Sequence, residues 1–96
     1  MNKTKTMNFN KSIKGLNGQA VKDQNGKEVM LGYILAEQLV SGSKGDAIKF
    51  YGWALKLHEG VELDIDKSDK QTLKDFITNN EQLTILAKAQ LLEQFD

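Results

Sequence analysis

The chain has 96 residues, 40 % of them hydrophobic and 27 % charged, and thirteen acids balance thirteen basic residues to a net charge of zero. That is enough for one domain with one modest core, and a neutral balance argues against a general nucleic-acid or membrane-surface binder. With no Cys and one His, disulfides, thiolate metal sites, cysteine nucleophiles and multi-histidine clusters are excluded.

Every basic residue is Lys. Arg, whose planar fork grips phosphate, carboxylate or guanine with paired donors, is absent. The charges are unevenly spread. Six Lys face one Asp over residues 1–27, four acids face three Lys over 28–60, and eight acids face four Lys over 61–96. A basic start and an acidic end invite intramolecular or head-to-tail pairing.

Residues 1–6 are polar and patternless and are expected to be a disordered tail, with 7–96 forming a single α+β domain. No apolar stretch follows the first Lys pair and no Ala-x-Ala site appears, so no secretory signal is expected and the chain is expected to be cytoplasmic.

Met7, Phe9 and Ile13 share one side of an alternating strand. Gly15-Leu16-Asn17-Gly18 is a turn. Residues 19–22 and 27–30 then flank Asp23-Gln24-Asn25-Gly26, whose Asn-Gly pair predicts a type I′ hairpin. The expected architecture is an N-terminal β-hairpin or small meander followed by about four helices, with no internal repeat.

The period then changes. Leu31, Ile34, Leu35 and Leu39 make a helix stripe with Gly42 at its C-terminal cap. Asp46 caps the next helix, which runs to about His58. It carries Ile48, Tyr51 and Leu55 on one side and Phe50, Trp53, Ala54 and Leu57 on another, which predicts a central helix buried on more than one face, with Phe50, Tyr51 and Trp53 in the core. Gly60 closes it. Residues 61–65 read as extended. Ser68-Asp69-Lys70-Gln71 predicts a capping box, and Leu73, Phe76 and Ile77 face the core. A last helix over about 81–95 turns Leu83, Leu86, Ala87, Leu91 and Phe95 inward, with Ile85, Ala89 and Leu92 adjacent.

The motifs that resemble chemistry each fall short of it. Asp64, Asp66 and Ser68 match the first three ligands of a calcium loop, but Asp69 stands where Gly makes the sharp turn and Asp75 where Glu binds bidentately. Asp64 and Asp66 on one extended segment share one face, whereas glycosidase carboxylates flank a cleft. His58 lies in a last helical turn, where the dipole favours a cation, with no nucleophile elbow in the chain. Gly15 with Gly18, and Gly42-Ser43-Lys44-Gly45, lack phosphate-loop spacing. No cofactor, no metal and no enzymatic activity is expected. The apolar surplus of the second and last helices predicts docking on a protein partner or a homo-oligomer.

The Gly-Leu-Asn-Gly turn, the run KDQNGKEVMLGYILAEQLV, the run GDAIKFYGWALKLHEGVELDIDKSD and the closing LAKAQLLEQF together resemble small, mostly uncharacterised proteins of tailed-phage and prophage genomes, over about residues 9–92. The resemblance implies a protein that acts by stoichiometric binding, inhibiting a host or antiphage-defence factor. Phage assembly, as a tail chaperone or minor structural subunit, and a small-nucleotide sponge are the alternatives. The expected contact residues are Lys14, Lys22 and Lys27 on the hairpin and Asp64, Asp66 and Asp69 on the acidic face. No membrane contact is expected, and nucleic acid is not the expected partner.

Overall fold

Helix α1 (Leu31–Ser41) and helix α2 (Ala47–His58) pack on each other in the most extensive contact between elements of the domain, each with one face in the core. The computed structural model describes residues 4–43 and 45–95, and only the backbone of residues 4–6. Leu31, Leu35, Ala36 and Leu39 of α1 meet Phe50, Trp53, Ala54 and Leu57 of α2 in one core. Phe50 stacks on Trp53 with ring centroids 5.5 Å apart and meets the edge of Phe76 at 5.3 Å. Asp46 caps α2 as its spacing predicts, accepting the Lys49 N–H at 3.1 Å. Gly60 ends the helix at φ +76°, donating to the Leu57 carbonyl while Val61 N–H reaches Lys56. This pair of bonds is a Schellman ending, and it needs the left-handed backbone that Gly adopts without strain. Gly42, by contrast, caps α1 with an extended backbone at φ −86°.

Strand β1 (Thr4–Met7) pairs antiparallel with strand β2 (Leu63–Asp66), in the register Thr4↔Asp66 to Met7↔Leu63. Part of the expected tail is therefore strand; residues 1–3 lie outside the described residues. Leu63 and Ile65 point into the core and Asp64 and Asp66 to solvent, the alternation of a half-buried strand. Helix α3 (Lys67–Asn79) follows without a break, and helix α4 (Ile85–Glu93) returns across α3 and α1. Thr84 caps α4 by accepting the Ala87 N–H at 3.1 Å, so the helix starts later than its apolar pattern suggests. Phe9, Leu35, Leu63, Leu73, Ile77 and Leu91 are fully buried. Cutting any of them to Ala costs about 2–5 kcal/mol, because lost transfer energy and a residual cavity add.

The domain is thus α+β and dominated by helix, but the predicted N-terminal hairpin does not form as a pair of strands. Residues 11–30 carry isolated bridges, Ser12↔Met30, Lys14↔Ala20 and Lys22↔Glu28. Three backbone bonds close a ring among them. Ile13 N–H donates to the Val29 carbonyl, Val29 N–H to Val21, and Val21 N–H to Ile13, at 2.8–2.9 Å. These residues are eight apart, and so are Lys14 and Lys22, Asn17 and Asn25, and Gly18 and Gly26. An octad repeat is present where none was expected. Each of the two copies, 13–20 and 21–28, places one β-branched residue in the ring and then turns back at Asn-Gly, so neither is long enough to extend a strand, and Val29 completes the ring.

The turns also differ from expectation. Gly18 N–H bonds the Gly15 carbonyl and Gly26 N–H the Asp23 carbonyl, with Gly18 and Gly26 at φ +81° and +80°. Among the described residues no Asn has positive φ. This is a type I turn followed by a left-handed Gly, which spares Asn the strain that type I′ requires. The repeat is tied to α1 through Leu31 N–H to Lys11 and Gly32 N–H to Phe9.

Candidate interaction surface

The three predicted Lys lie on the octad repeat. Lys14 and Lys22 occupy equivalent positions after Ile13 and Val21, and Lys27 closes the second turn; all three are exposed. The predicted acids lie elsewhere, at the β2–α3 junction. Asp64 sits opposite Thr6 in the ladder, and its exposed carboxylate makes no hydrogen bond among the described residues. Asp66 is the N-cap of α3, accepting the Asp69 N–H at 2.7 Å. The expected cap, Ser68, is inside the helix instead, because the Asp66 carboxylate reaches the first free amides two residues earlier. Asp69 pairs with Lys49 at 2.8 Å, joining the starts of α2 and α3. That hydrogen bond, with the charges of Asp69 and then of Asp46 and Asp66, raises the Lys49 ammonium above its ordinary 10.5. Two of the three acids are therefore engaged within the domain, and no hydrogen bond or ion pair among the described residues joins the Lys group to the Asp group. Nor do three His, Asp or Glu gather there as a metal site.

The largest departure from the sequence reading is on α2. The stripe of Phe50, Trp53, Ala54 and Leu57 is buried, but the second stripe is not: Ile48, Tyr51 and Leu55 are 84 %, 58 % and 48 % exposed. The helix lies at the surface with one face in the core, and Tyr51 is outside the aromatic cluster of Phe50, Trp53 and Phe76. Tyr33 and Val40 of α1 are exposed as well. Tyr33 packs on His58 with ring centroids 5.1 Å apart, and Val40 shares a small hollow with Tyr51, so these exposed residues of the two helices adjoin in one face, apolar but for Glu37 and His58. Within it lies Gly52, where an added Cβ meets nothing within 4 Å. A helix-interior Gly costs about 1 kcal/mol relative to Ala, and packing within this chain does not account for it.

A cleft of about 600 Å³ continues this face past the Tyr33–His58 pair. Its walls include Asp23, Asn25, Lys27, Glu28 and Glu59, three acids against one Lys. The Asp23 carboxylate holds the second turn, accepting the Asn25 N–H at 2.8 Å and the Lys27 N–H at 3.0 Å. The surface is therefore apolar along the helices and acidic at the end marked by Tyr33.

Periodicity places Ile48, Tyr51 and Leu55 in the core because it shows that a stripe is apolar and not what covers it. Gly52 was the available signal: a small residue on that side of the helix leaves a notch in a stripe that a core would fill.

Among the described residues no helix is long and apolar enough to cross a membrane. Comparison with protein-family models, with curated proteins and with solved structures finds no match to this chain.

Proposed function

We propose that the protein acts by stoichiometric binding, seating a second protein on the exposed face of α1 and α2. The observation that carries this reading is the stripe of Ile48, Tyr51 and Leu55 left in solvent around the Gly52 notch. Burying such a face returns roughly 25 cal/mol for each Å² of apolar area removed from water, and a notch lets a partner's backbone approach closely. The charge of the surface narrows the partner. A segment apolar at its centre, with a Lys or Arg at the end that meets Tyr33, would set its cation against an aromatic face and the carboxylates of Glu28 and Glu59. Following the sequence resemblance to phage-genome proteins, we take that partner to be a host or antiphage-defence factor and the effect to be inhibition by occlusion.

The test uses Leu55→Glu and Tyr51→Ala beside the unaltered chain, captured from infected cells. A protein retained in a one-to-one ratio by the unaltered chain and lost from both variants, and reproduced by calorimetry with the purified partner, supports the reading. Equal retention by all three chains overturns it. So does self-association that the variants abolish with no other protein bound, which would make the face a contact between copies.

A further inference from the structure

The two turns of the octad repeat differ at one group. Both place an Asn-Gly bond in an exposed loop. Such bonds are open to attack by the Gly nitrogen on the Asn side chain, because Gly has no side chain to hinder it. In the first turn, Gly15 has no side chain to offer, and Asn17 Oδ1 accepts the Gln19 N–H at 3.0 Å. In the second turn Asp23 stands at the position equivalent to Gly15. Its carboxylate accepts the equivalent amide, that of Lys27, at 3.0 Å, and the Asn25 N–H as well. The Asn25 carboxamide is left without a hydrogen bond among the described residues.

We propose that Asn25 is a site of spontaneous covalent modification, deamidation through a cyclic imide, and that Asn17 is protected by the bond it makes to Gln19. The Gly26 nitrogen loses its proton to solvent base and attacks Asn25 Cγ. The N–Cγ bond forms, the Cγ–Nδ2 bond breaks, and the departing nitrogen takes up a proton and leaves as ammonia. Water then opens the imide at one carbonyl or the other, giving aspartate or isoaspartate. The balance is one water consumed and one ammonia released, with no oxidant or reductant. Gly18 and Gly26 both donate their N–H to the turn, at 2.9 and 3.0 Å, so both sites wait on opening of an exposed loop. Asn17 must also give up its side-chain bond. Asn25 lines the cleft beside Lys27 and Glu28. Its conversion puts a new carboxylate there, and the isoaspartate product adds a backbone methylene to the turn.

The experiment incubates the folded chain in mildly alkaline buffer and follows isoaspartate and the mass gain of deamidation on tryptic peptides. Cleavage after Lys14, Lys22 and Lys27 puts the two sites on separate peptides, 15–22 and 23–27. Conversion on 23–27 is expected to run several-fold faster than on 15–22, and the two are expected to converge in urea. Gly15→Asp, which supplies the carboxylate the first turn lacks, is expected to free Asn17 and speed conversion on 15–22. Equal or reversed rates in the folded chain, a preference that persists in urea, or a Gly15→Asp chain with Asn17 still slow would each overturn the proposal.

Discussion

The side-chain amide of Gln90 takes both backbone groups of Lys14: its Oε1 accepts the Lys14 N–H at 2.9 Å and its Nε2 donates to the Lys14 carbonyl at 2.6 Å. A residue of α4 thereby does for the octad repeat what a neighbouring strand would do, and it docks the repeat on the helical core. Gln90→Ala is expected to lower unfolding free energy by about 1–2 kcal/mol, because two backbone groups lose their partner. Gln90→Glu keeps the acceptor and loses the donor, and is expected to fall between. Urea unfolding checks the size, and faster hydrogen exchange at the Lys14 amide in Gln90→Ala checks the place.

The glycines of the α1–α2 pair should respond with opposite signs. An Ala Cβ at Gly52 meets nothing within 4 Å, so Gly52→Ala is expected to stabilise the free protein by up to about 1 kcal/mol through helix propensity. At Gly32 the same Cβ comes within 3.3 Å of the carbonyl oxygens of Phe9 and Leu57, which are backbone and yield little. Gly32→Ala is expected to lower the melting temperature despite the same gain in propensity. If the α1–α2 face seats a partner, Gly52→Ala should also weaken that binding while raising stability, a combination that a purely structural role for the glycine would not give.

The start of α3 offers a contrast between two candidate caps. Asp66→Ala is expected to cost about 0.5–2 kcal/mol, because Asp69 N–H loses its acceptor at the helix end. Ser68→Ala is expected to stay within about 0.5 kcal/mol of the unaltered chain, as ordinary for a surface change away from any cap. Thermal or urea melts of the pair decide between them.

The Lys49–Asp69 pair predicts a dependence at alkaline pH. The Lys49 value is raised in the folded chain, so its contribution is fully present below the ordinary lysine value of 10.5 and is lost as pH rises through the raised value. The melting difference between the unaltered chain and Lys49→Met should therefore be constant through neutral pH and shrink in strongly alkaline buffer. Added salt should reduce it as well, since the pair is exposed.

Helices α1 and α2 were legible in the sequence because strong local signals agree there: the Leu31, Leu35, Leu39 spacing, the Asp46 cap and the Gly60 ending. What local pattern cannot supply is a partner. Thr4–Met7 became a strand by pairing with Leu63–Asp66 from far along the chain, and four polar-leaning residues give no hint of that register. The octad repeat was hidden for a related reason. Its copies share a β-branched residue, a Lys and an Asn-Gly, a pattern that reads as two independent turns until the backbone ring joins Ile13, Val21 and Val29. Charge alone points to the Lys and Asp contact residues, and charge does not distinguish an exposed carboxylate such as Asp64 from one that caps a helix, as Asp66 does.

The ring of three backbone bonds has a consequence for how this region can change length. In a ladder, a one-residue insertion can be taken up as a bulge that leaves the flanking pairs in step. Here each of Ile13, Val21 and Val29 is both donor and acceptor in a closed cycle, so a slip in either intervening loop misaligns two bonds at once. Single-residue insertions at 16–18 or 24–26 should therefore be tolerated far worse than their solvent-facing position suggests.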